Sequence, residues 1–382
     1  MAERLLLVVT VYNGRDFVPR CLESAKRLSQ SESNVDVLVL DDCSPDLEFS
    51  AAVESLCRKL SIEYYRSPRN LGIPRNVNLG LLTAIARDYD YVVVSNSDVV
   101  YAESAMAQLV RVSRTDPVIG TVTSWSNNVS AYSLPNIDAD KYIGEQDVVN
   151  WLGASLSGFY GATAIDIPAG ISFSMLVPTR VLKVVGLMDP VYGRGYCEEL
   201  DFCLRNRSFG FRNVLAPGSF VYHQGGGSNR EAGLLAPGLT TVPANERIID
   251  FRFPNFRTQV EEYFGSGLLS TMRKNAHERI IQDAARQFGY QIRASWLPGR
   301  ILPDEFLTVD LKPTSSGAEA VARFRGFEHE IPLSDSNFLA SIVGAMGGVQ
   351  PTGRAILDSS KVGGSTSSER EGDMSLMYPG RI

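Results

Sequence analysis

The chain has 382 residues and a formal net charge of −6. This length accommodates one large domain with an extension, or two domains. The acidic balance argues against nucleic acid as a partner, because nucleic-acid-binding domains normally present a basic surface. No apolar run is long enough for a membrane-spanning helix, and the amino terminus lacks the basic region and cleavage site of a signal peptide. Five cysteines without a C-x-x-C pair indicate reduced thiols in a cytoplasmic protein and do not favour a zinc site.

Strand and helix patterns alternate along the first 125 residues. The strand patterns are RLLLVVTVY, VDVLVLDD, IEYYRS, DYDYVVVSNSD and PVIGTVTS; the helix patterns between them are FVPRCLESAKRLS, 48–60, 74–87 and AESAMAQLVRVSR. Continuous apolar runs are typical of strands buried on both faces of a parallel sheet. The order therefore predicts the α/β class, with a mostly parallel layered sheet flanked by helices.

The rest of the chain gives a less regular pattern. We expect a loop-rich segment at 126–163 that covers part of a cleft, a strand and then a helix within 166–189, an acidic helix near 198–205, a last strand at 211–223, an irregular segment at 225–265, a charged helix at 270–289, and mixed structure at 295–350. From about residue 358 the polar, small-residue composition is typical of a disordered tail.

Polar clusters follow three of the predicted strands: YNG after the first, DDCS after the second and NSD after the fourth. In open α/β sheets, ligands bind at the carboxyl ends of the strands. The first strand-to-helix turn carries no G-x-G-x-x-G, which argues against a dinucleotide oxidoreductase.

Six segments together resemble glycosyltransferase family 2 in their order and spacing, over about residues 4–230. They are VTVYNGRDFVPRCLESA, VLDDCSPD, RNLGIPRNVNLGL, VVSNSDVV, GYCEELDFCLR and VYHQGGGS. The last two are most similar to the branch that holds rhamnosyl- and galactofuranosyltransferases.

The resemblance implies a GT-A fold, with a nucleotide-binding half at about 1–125 and an acceptor half at 126–230. It also implies an inverting transfer from a nucleotide-diphosphate sugar, with UDP- or dTDP-sugar favoured, to a hydroxyl of a glycan, lipid-linked or small-molecule acceptor. Residues 231–357 form a carboxyl-terminal extension that matches no family we can name. The extension would cover the cleft, form a homo-oligomer or associate peripherally with a membrane that holds a lipid-linked acceptor. Its charged helix shows no clear basic face, which disfavours membrane association.

By the same resemblance, SNSD stands in the place of the family's D-x-D metal motif. Its first position is Asn96, so only Asp98 offers a carboxylate, and His223 matches a histidine that contacts metal or diphosphate in relatives. A divalent cation such as Mg²⁺ takes one or two carboxylates with phosphates and waters, whereas an imidazole ligand suits Mn²⁺ better. As structural alternatives, Asp98 would cap a following helix and His223 would bond backbone at a strand end. A mechanism without metal also stays open, because Asn96 replaces the first Asp.

The resemblance also places the nucleoside. The loop after the first strand contributes Thr10, Tyr12 and Asn13, and the second strand is followed by Asp42, a carboxylate suited to accept from ribose hydroxyls or a base N–H. Asp41 faces the other side of the sheet if strand alternation holds. The alternative is that Asp42 is an ordinary turn residue.

Relatives also contact the nucleotide in the RNLGIPRNVNLG segment, which gives Asn70, Arg75 and Asn78 here. Arg75 would neutralise a phosphate, or would be a solvated helix residue. The glycines of GGGS, at 225–228, would allow the backbone to approach a diphosphate closely, or would be simple hinge residues.

The GYCEELDFCLR segment concentrates three carboxylates at the start of a predicted helix. Acidic residues in a first turn complement the helix dipole, and Asp201 is spaced to pair with Arg205. These effects leave two adjacent glutamates unexplained. In the family an acidic pair at this place supplies the catalytic base, which corresponds to Glu199 by register. Glu198 as the base, or a purely structural cluster, are the alternatives.

Two other functions compete with this interpretation. A sugar-1-phosphate nucleotidyltransferase would need a Gly- and Lys/Arg-rich loop after the first strand, which VYNGRDF does not provide. An inactive sugar-nucleotide-binding module is favoured by Asn96 and disfavoured by the complete acidic pair.

Overall fold

The computed structural model describes residues 3–31, 34–129, 132–135, 143–225, 242–294, 306–314, 317–334 and 337–352. Within these ranges, no helix is both long and apolar enough to cross a bilayer. The predicted tail from 358 and the glycines after Gly225 lie outside the described residues.

In the described part of the chain, nine strands form one large sheet. They are β1 (Leu5–Val11), β2 (Val35–Asp41), β3 (Glu63–Arg66), β4 (Tyr91–Ser95), β5 (Val99–Tyr101), β6 (Ile119–Trp125), β7 (Ile165–Asp166), β8 (Ser174–Pro178) and β9 (Arg212–His223). The order is β3-β2-β1-β4-β8-β6-β9-β5, with β7 paired to β9. The strands β3, β2, β1 and β4 are parallel, whereas β8 runs antiparallel to both β4 and β6. The α/β class is confirmed, and the parallel half is the amino-terminal one.

Helices cover both faces of this sheet because its strands are apolar on both sides. The helices of the first 225 residues are α1 (Val18–Ser31), α2 (Leu47–Leu60), α3 (Ile73–Ala86), α4 (Ala105–Ser113), α5 (Gln146–Tyr160), α6 (Thr179–Val185) and α7 (Glu198–Ser208), with a 3₁₀ turn at Pro190–Tyr192. Along β1, the side chains of Leu5 and Leu7 join one core and those of Leu6 and Val8 join another. Each such fully buried side chain contributes about 1.5–3 kcal/mol.

The described residues from 242 onward add four helices and a second sheet. The helices are α8 (Val242–Arg252), α9 (Phe256–Gly265), α10 (Leu268–Phe288) and α11 (Phe338–Ala345), and the strands are β10 (Gln291–Ala294), β11 (Thr308–Thr314), β12 (Gly317–Phe324) and β13 (Phe327–Ile331). The long helix α10 packs against α5: the Tyr160 hydroxyl donates to Met272 O at 2.9 Å, and the Ser155 hydroxyl donates to Asp283 at 2.6 Å. The extension thus shares a core with the large sheet.

Two segments differ from the sequence-based expectation. The loop-rich prediction for 126–163 was wrong at α5, where Val149, Leu152 and Leu156 form a buried stripe despite the Gly and Ser content. The irregular prediction for 225–265 was wrong from residue 242 onward, where α8 and α9 stand.

A short strand, β5, follows Asp98 directly where we expected a helix. Asp98 therefore lies between two strands. It does not cap a helix.

Candidate active site

Sheet pairing brings the predicted polar clusters together. Val9 lies in register with Val39 on β2 and with Ser95 on β4, so these three strands end side by side. The Thr10 hydroxyl donates to Ser95 O at 3.2 Å and ties the first loop to the fourth strand.

The antiparallel pairing of β5 with β9 sets Val99 opposite His223. His223 thereby lies next to Asp98: its Nε2 is 3.1 Å from Asp98 Oδ1 and 3.3 Å from Asn96 Nδ2. The structure thus joins the two ends of the predicted metal site. In side-chain terms Asp98 is 4% exposed and His223 12% exposed, so the pair is largely shielded from water.

The His223 ring is held in one orientation. Its Nδ1 lies 2.7 Å from Asn128 O, and because a carbonyl can only accept, Nδ1 carries the proton. In the neutral imidazole this leaves the Nε2 lone pair facing Asp98 and Asn96, which is the arrangement of a metal-ligating histidine. Burial lowers the pKa of His223, but its contacts with Asp98 and Asn128 outweigh burial, and the pKa is raised overall.

This geometry fits a divalent cation. Two cis ligands of an octahedral ion with bonds of roughly 2.1 Å lie about 3.0 Å apart. The separation of Asp98 Oδ1 and His223 Nε2 is 3.1 Å. Among the residues that the structure describes, no group of three or more His, Cys, Asp or Glu could hold a metal, so substrate phosphate and water would complete the shell. Asn96 could add an amide oxygen.

Asp41 and Asp42 have different surroundings, as strand alternation predicted. Asp41 is fully buried and accepts from Ser44 N, the Ser50 hydroxyl and the Tyr64 hydroxyl at 2.7–2.8 Å. These bonds make Asp41 a structural residue.

The Asp42 carboxylate accepts from Leu71 N at 2.7 Å and from Gly72 N at 3.0 Å. Burial raises the pKa of Asp42, while these two N–H groups and the nearby Arg194 lower it. Asp42 thus anchors the loop before α3 at the end of β2. Contact of this carboxylate with a nucleoside stays a prediction.

The other predicted nucleotide contacts occupy varied positions. Tyr12 and Asn13 are half-buried at the end of β1; Asn13 has φ 57°, and its N–H donates to the Ser44 hydroxyl at 2.9 Å. Asn70 is exposed and accepts from Gly72 N at 3.2 Å, and Arg75 is exposed in the first turn of α3.

Asn78 lies on α3 and bonds to the backbone of Met188. Its amide donates to Met188 O at 2.8 Å and accepts from Met188 N at 3.0 Å, so both polar ends bond one backbone residue. Asn78 therefore fixes α3 to the segment that leads into α7. Its contact with a nucleotide stays a prediction.

Glu198 and Glu199 form the first turn of α7, after Tyr196 and Cys197, which have left-handed φ values of 69° and 72°. Glu198 is 4% exposed and Glu199 is half-buried. Burial, the neighbouring Glu199 charge and a hydrogen bond to Glu199 raise the pKa of Glu198 well above its usual range. Burial also raises the pKa of Glu199, against the lowering effects of the helix N–H groups and of Glu198. The raised pKa values of the two neighbouring carboxyls oppose full ionisation of the pair.

One oxygen of each carboxyl, Oε2, is buried and has no hydrogen-bond partner within the described ranges. A buried carboxylate oxygen without a partner is costly in a purely structural cluster. The geometry therefore favours a ligand at this place over a structural role for the pair.

The helix of the acidic pair and the ring of His223 both contact one short segment. Cys203, one turn after Glu199, accepts from Gly170 N at 3.3 Å, and Phe173 lies against the His223 ring with centroids 5.5 Å apart. The three-residue span from Gly170 to Phe173 covers at most about 11 Å. Residues 170–173 thus contact both α7, the helix that carries the acidic pair, and the His223 ring.

The family model described as glycosyl transferase family 2 matches residues 6–164. This match to a glycosyltransferase family 2 domain covers less than half of the chain. Its mixed α/β sheet with flanking helices is the predicted GT-A fold. The matched residues include Asp42, Asn96 and Asp98 and stop before the acidic pair and His223.

Similar proteins are glycosyltransferases by name. The undecaprenyl-phosphate mannosyltransferase of Micrococcus luteus is 24% identical over 241 residues, which are 63% of this chain and 92% of that protein. The mannosyltransferase PcManGT of Pyrobaculum calidifontis, solved with GDP-Man and Mn²⁺, is 14% identical, with a TM-score of 0.44 over 75% of this chain and 76% of that one. TarS 1-349 of S. aureus, solved with UDP-GlcNAc, is 15% identical, with a TM-score of 0.44 over 73% and 81% of the two chains.

Sequence reasoning missed several residues that shape the site of this glycosyltransferase domain. Asn127 brackets the His223 backbone, accepting from its N–H at 2.8 Å and donating to its carbonyl at 3.0 Å, and Asn128 O fixes the ring. From the extension, Asn245 reaches the loop before the acidic helix, and Arg252 reaches the helix itself. No local sequence pattern indicates these contacts, because Asn127 and Asn128 lie in a loop and Asn245 lies in a helix that the sequence did not predict.

Proposed function

We propose that this protein is an inverting glycosyltransferase that moves a sugar from a nucleotide-diphosphate sugar to a hydroxyl group. The observation that carries the proposal is the Glu198–Glu199 pair, whose buried Oε2 atoms have no hydrogen-bond partner among the described residues, together with the Asp98–His223 pair. The first cluster can take a proton, and the second can face a diphosphate.

In this proposal Glu199 is the base and Glu198 its protonated neighbour. The Glu199 carboxylate takes the acceptor hydroxyl proton while the acceptor oxygen bonds to the anomeric carbon. The bond from that carbon to the diphosphate oxygen breaks, and the diphosphate leaves with the electron pair. A raised pKa makes Glu199 a stronger base than an ordinary glutamate.

Asp98 and His223, with Asn96 beside them, would hold a divalent cation, Mn²⁺ or Mg²⁺. When bound, such an ion offsets the negative charge of the leaving diphosphate. Asn128 keeps the Nε2 lone pair of His223 aimed at that position. The loops around Asp42 would hold the nucleoside.

The acceptor follows from the acidic pair. A hydroxyl is a poor nucleophile until a base takes its proton, whereas a phosphate acceptor is already anionic and would be repelled by Glu199. The Micrococcus relative is named for an undecaprenyl-phosphate acceptor. We infer that this chain departs from that acceptor class and uses a glycan, lipid-linked or small-molecule hydroxyl. The UDP or dTDP donor, the rhamnosyl- or galactofuranosyltransferase branch, a cytoplasmic location and any homo-oligomer stay predictions.

A paired assay tests the proposal. The protein is incubated with Mn²⁺ and a panel of nucleotide sugars, with polyprenyl phosphate or with hydroxyl-bearing glycans, and release of nucleoside diphosphate is measured. We expect release that depends on a hydroxyl acceptor and on Glu199. Release with polyprenyl phosphate that survives Glu199→Gln would contradict the acceptor assignment. Nucleoside-diphosphate binding without turnover on any acceptor would favour an inactive binding module.

A further inference from the structure

The loop before the acidic helix has an unusual backbone. From Gly193 to Cys197, four of five residues have φ between 62° and 133°. Glycine adopts such values freely, but Tyr196 and Cys197 do so only when surrounding contacts impose them. The direction in which Glu198 and Glu199 leave this loop therefore depends on whatever holds it.

Asn245, in α8, provides that contact. It is 5% exposed, and its amide nitrogen lies 3.1 Å from Tyr192 O, 2.8 Å from Gly195 O and 2.9 Å from Tyr196 O. An asparagine amide has two N–H donors, so three carbonyls share them around a single nitrogen. The Asn245 side chain thus binds three backbone carbonyls of the loop that leads into the acidic pair.

Arg252 binds the acidic helix that carries the pair. Its guanidinium donates to Asp201 Oδ1 at 2.7 Å and lies 2.8 Å from Asp189 Oδ2. Asp201, three residues after Glu198, is fully buried in α7. Asn245 and Arg252 are seven residues apart, about two helical turns, and so face the same side of α8. Between them Ile249 packs with Tyr192 and Leu204.

We propose that Asn245 and Arg252 are positioning residues that set the orientation of the Glu198–Glu199 pair. This makes α8 a component of the active site, although it lies beyond the predicted glycosyltransferase domain. The inference rests on the proposed base function of Glu199. Neither residue takes part in proton transfer; both act through the loop and through α7.

The test compares Asn245→Ala with Asn255→Ala, a matched control because Asn255 is exposed and its side chain caps no helix. We expect Asn245→Ala to lower kcat by about 10- to 100-fold, as a small misplacement of a reacting group does. The KM for the donor should change much less than kcat, because the hydrogen bonds of Asn245 go to Tyr192, Gly195 and Tyr196 and not to the loops around Asp42. The acidic limb of the kcat–pH profile should shift, since the shared proton depends on the geometry of the pair. Asn255→Ala should behave as the native protein.

Native kcat and a native pH profile in Asn245→Ala would overturn the inference, whatever its melting temperature. If Asn245→Ala does not fold, Arg252→Gln is measured in the same way against Arg257→Gln, which removes an exposed pair with Asp250. Glu199→Gln is assayed in parallel. Its retained turnover would refute the base function itself, whereas an inactive Glu199→Gln beside a fully active Asn245→Ala would refute only the positioning.

Discussion

His223 Nε2 lies 3.1 Å from Asp98 Oδ1, although the two residues stand 125 positions apart in the chain. The pairing of β5 with β9 produces this approach, and Asn128 O fixes the ring that completes it. A carboxylate and an imidazole at this separation suit two neighbouring ligands of one divalent ion. The site therefore depends on a strand that follows Asp98 at once.

Asp98→Ala should remove the metal-dependent part of nucleoside-diphosphate binding. Calorimetric titrations with and without Mn²⁺ measure this directly, and the native protein should bind more tightly with the ion. The control is Asp116→Ala, which removes a surface carboxylate paired with Arg212. Metal-dependent binding that persists in a folded Asp98→Ala protein would exclude Asp98 as a ligand.

The sequence predicted the parts of this site that depend on local pattern. The apolar runs of β1, β2 and β4 placed the polar clusters at the ends of strands, and alternation separated Asp41 from Asp42. The local sequence pattern could not predict contacts that tertiary packing creates. The bond of Asn78 to Met188 spans 110 positions, and no periodicity reports it.

The same limit applies to helix α8. Its flanking Gly and Pro content suggested an irregular segment, and its stability comes from packing on Tyr192 and from Arg252. Tertiary contacts of this kind routinely override local propensity.

Glu199→Gln should lower turnover by about 10² to 10⁴, because Gln keeps the shape but cannot accept the proton. Donor affinity should change little, so the loss should fall on the catalytic step. Glu198→Gln is the matched comparison and should be milder, since Gln can still donate a hydrogen bond to Glu199. Steady-state rates and donor titrations decide between them. Loss of turnover in Glu198→Gln alone would move the base by one residue.

Glu198 also predicts a pH dependence of stability. Its pKa is raised in the folded state, so its contribution to folding is fully present below the unfolded pKa of about 4.3 and is lost as pH rises through the folded value. Gln does not ionise, so Glu198→Gln removes the loss of stability that ionisation of Glu198 causes as pH rises. The free energy of unfolding of the variant, relative to the native protein, should therefore rise with pH.

Urea unfolding from pH 4.5 to 8.5 measures this difference. Glu246→Gln is the control, because the Glu246 side chain is 51% exposed and 3.9 Å from Arg257. If the difference in the free energy of unfolding between Glu198→Gln and the native protein is constant across this pH range, the pKa of Glu198 is not raised in the folded state.

Asp201→Asn tests the structural member of the acidic cluster. We expected an ion pair of Asp201 with Arg205, and the structure confirms it at 2.6 Å. An exposed pair would be worth only a few tenths of a kcal/mol. The Asp201 side chain is instead fully buried, and it also accepts from Arg252 at 2.7 Å and from the Tyr192 hydroxyl at 3.0 Å.

Replacing the carboxylate leaves two arginines without their buried counter-charge, so we expect a loss of about 3 kcal/mol in the free energy of unfolding. Asp250→Asn, which removes a carboxylate from an exposed pair with Arg257, should leave the unfolding midpoint unchanged. Urea titrations of both variants give the comparison. Because Arg252 links Asp201 to α8, Asp201→Asn should also lower kcat while leaving donor affinity near native. A variant as stable as Asp250→Asn would show that Arg205 and Arg252 reach water readily once the carboxylate is gone.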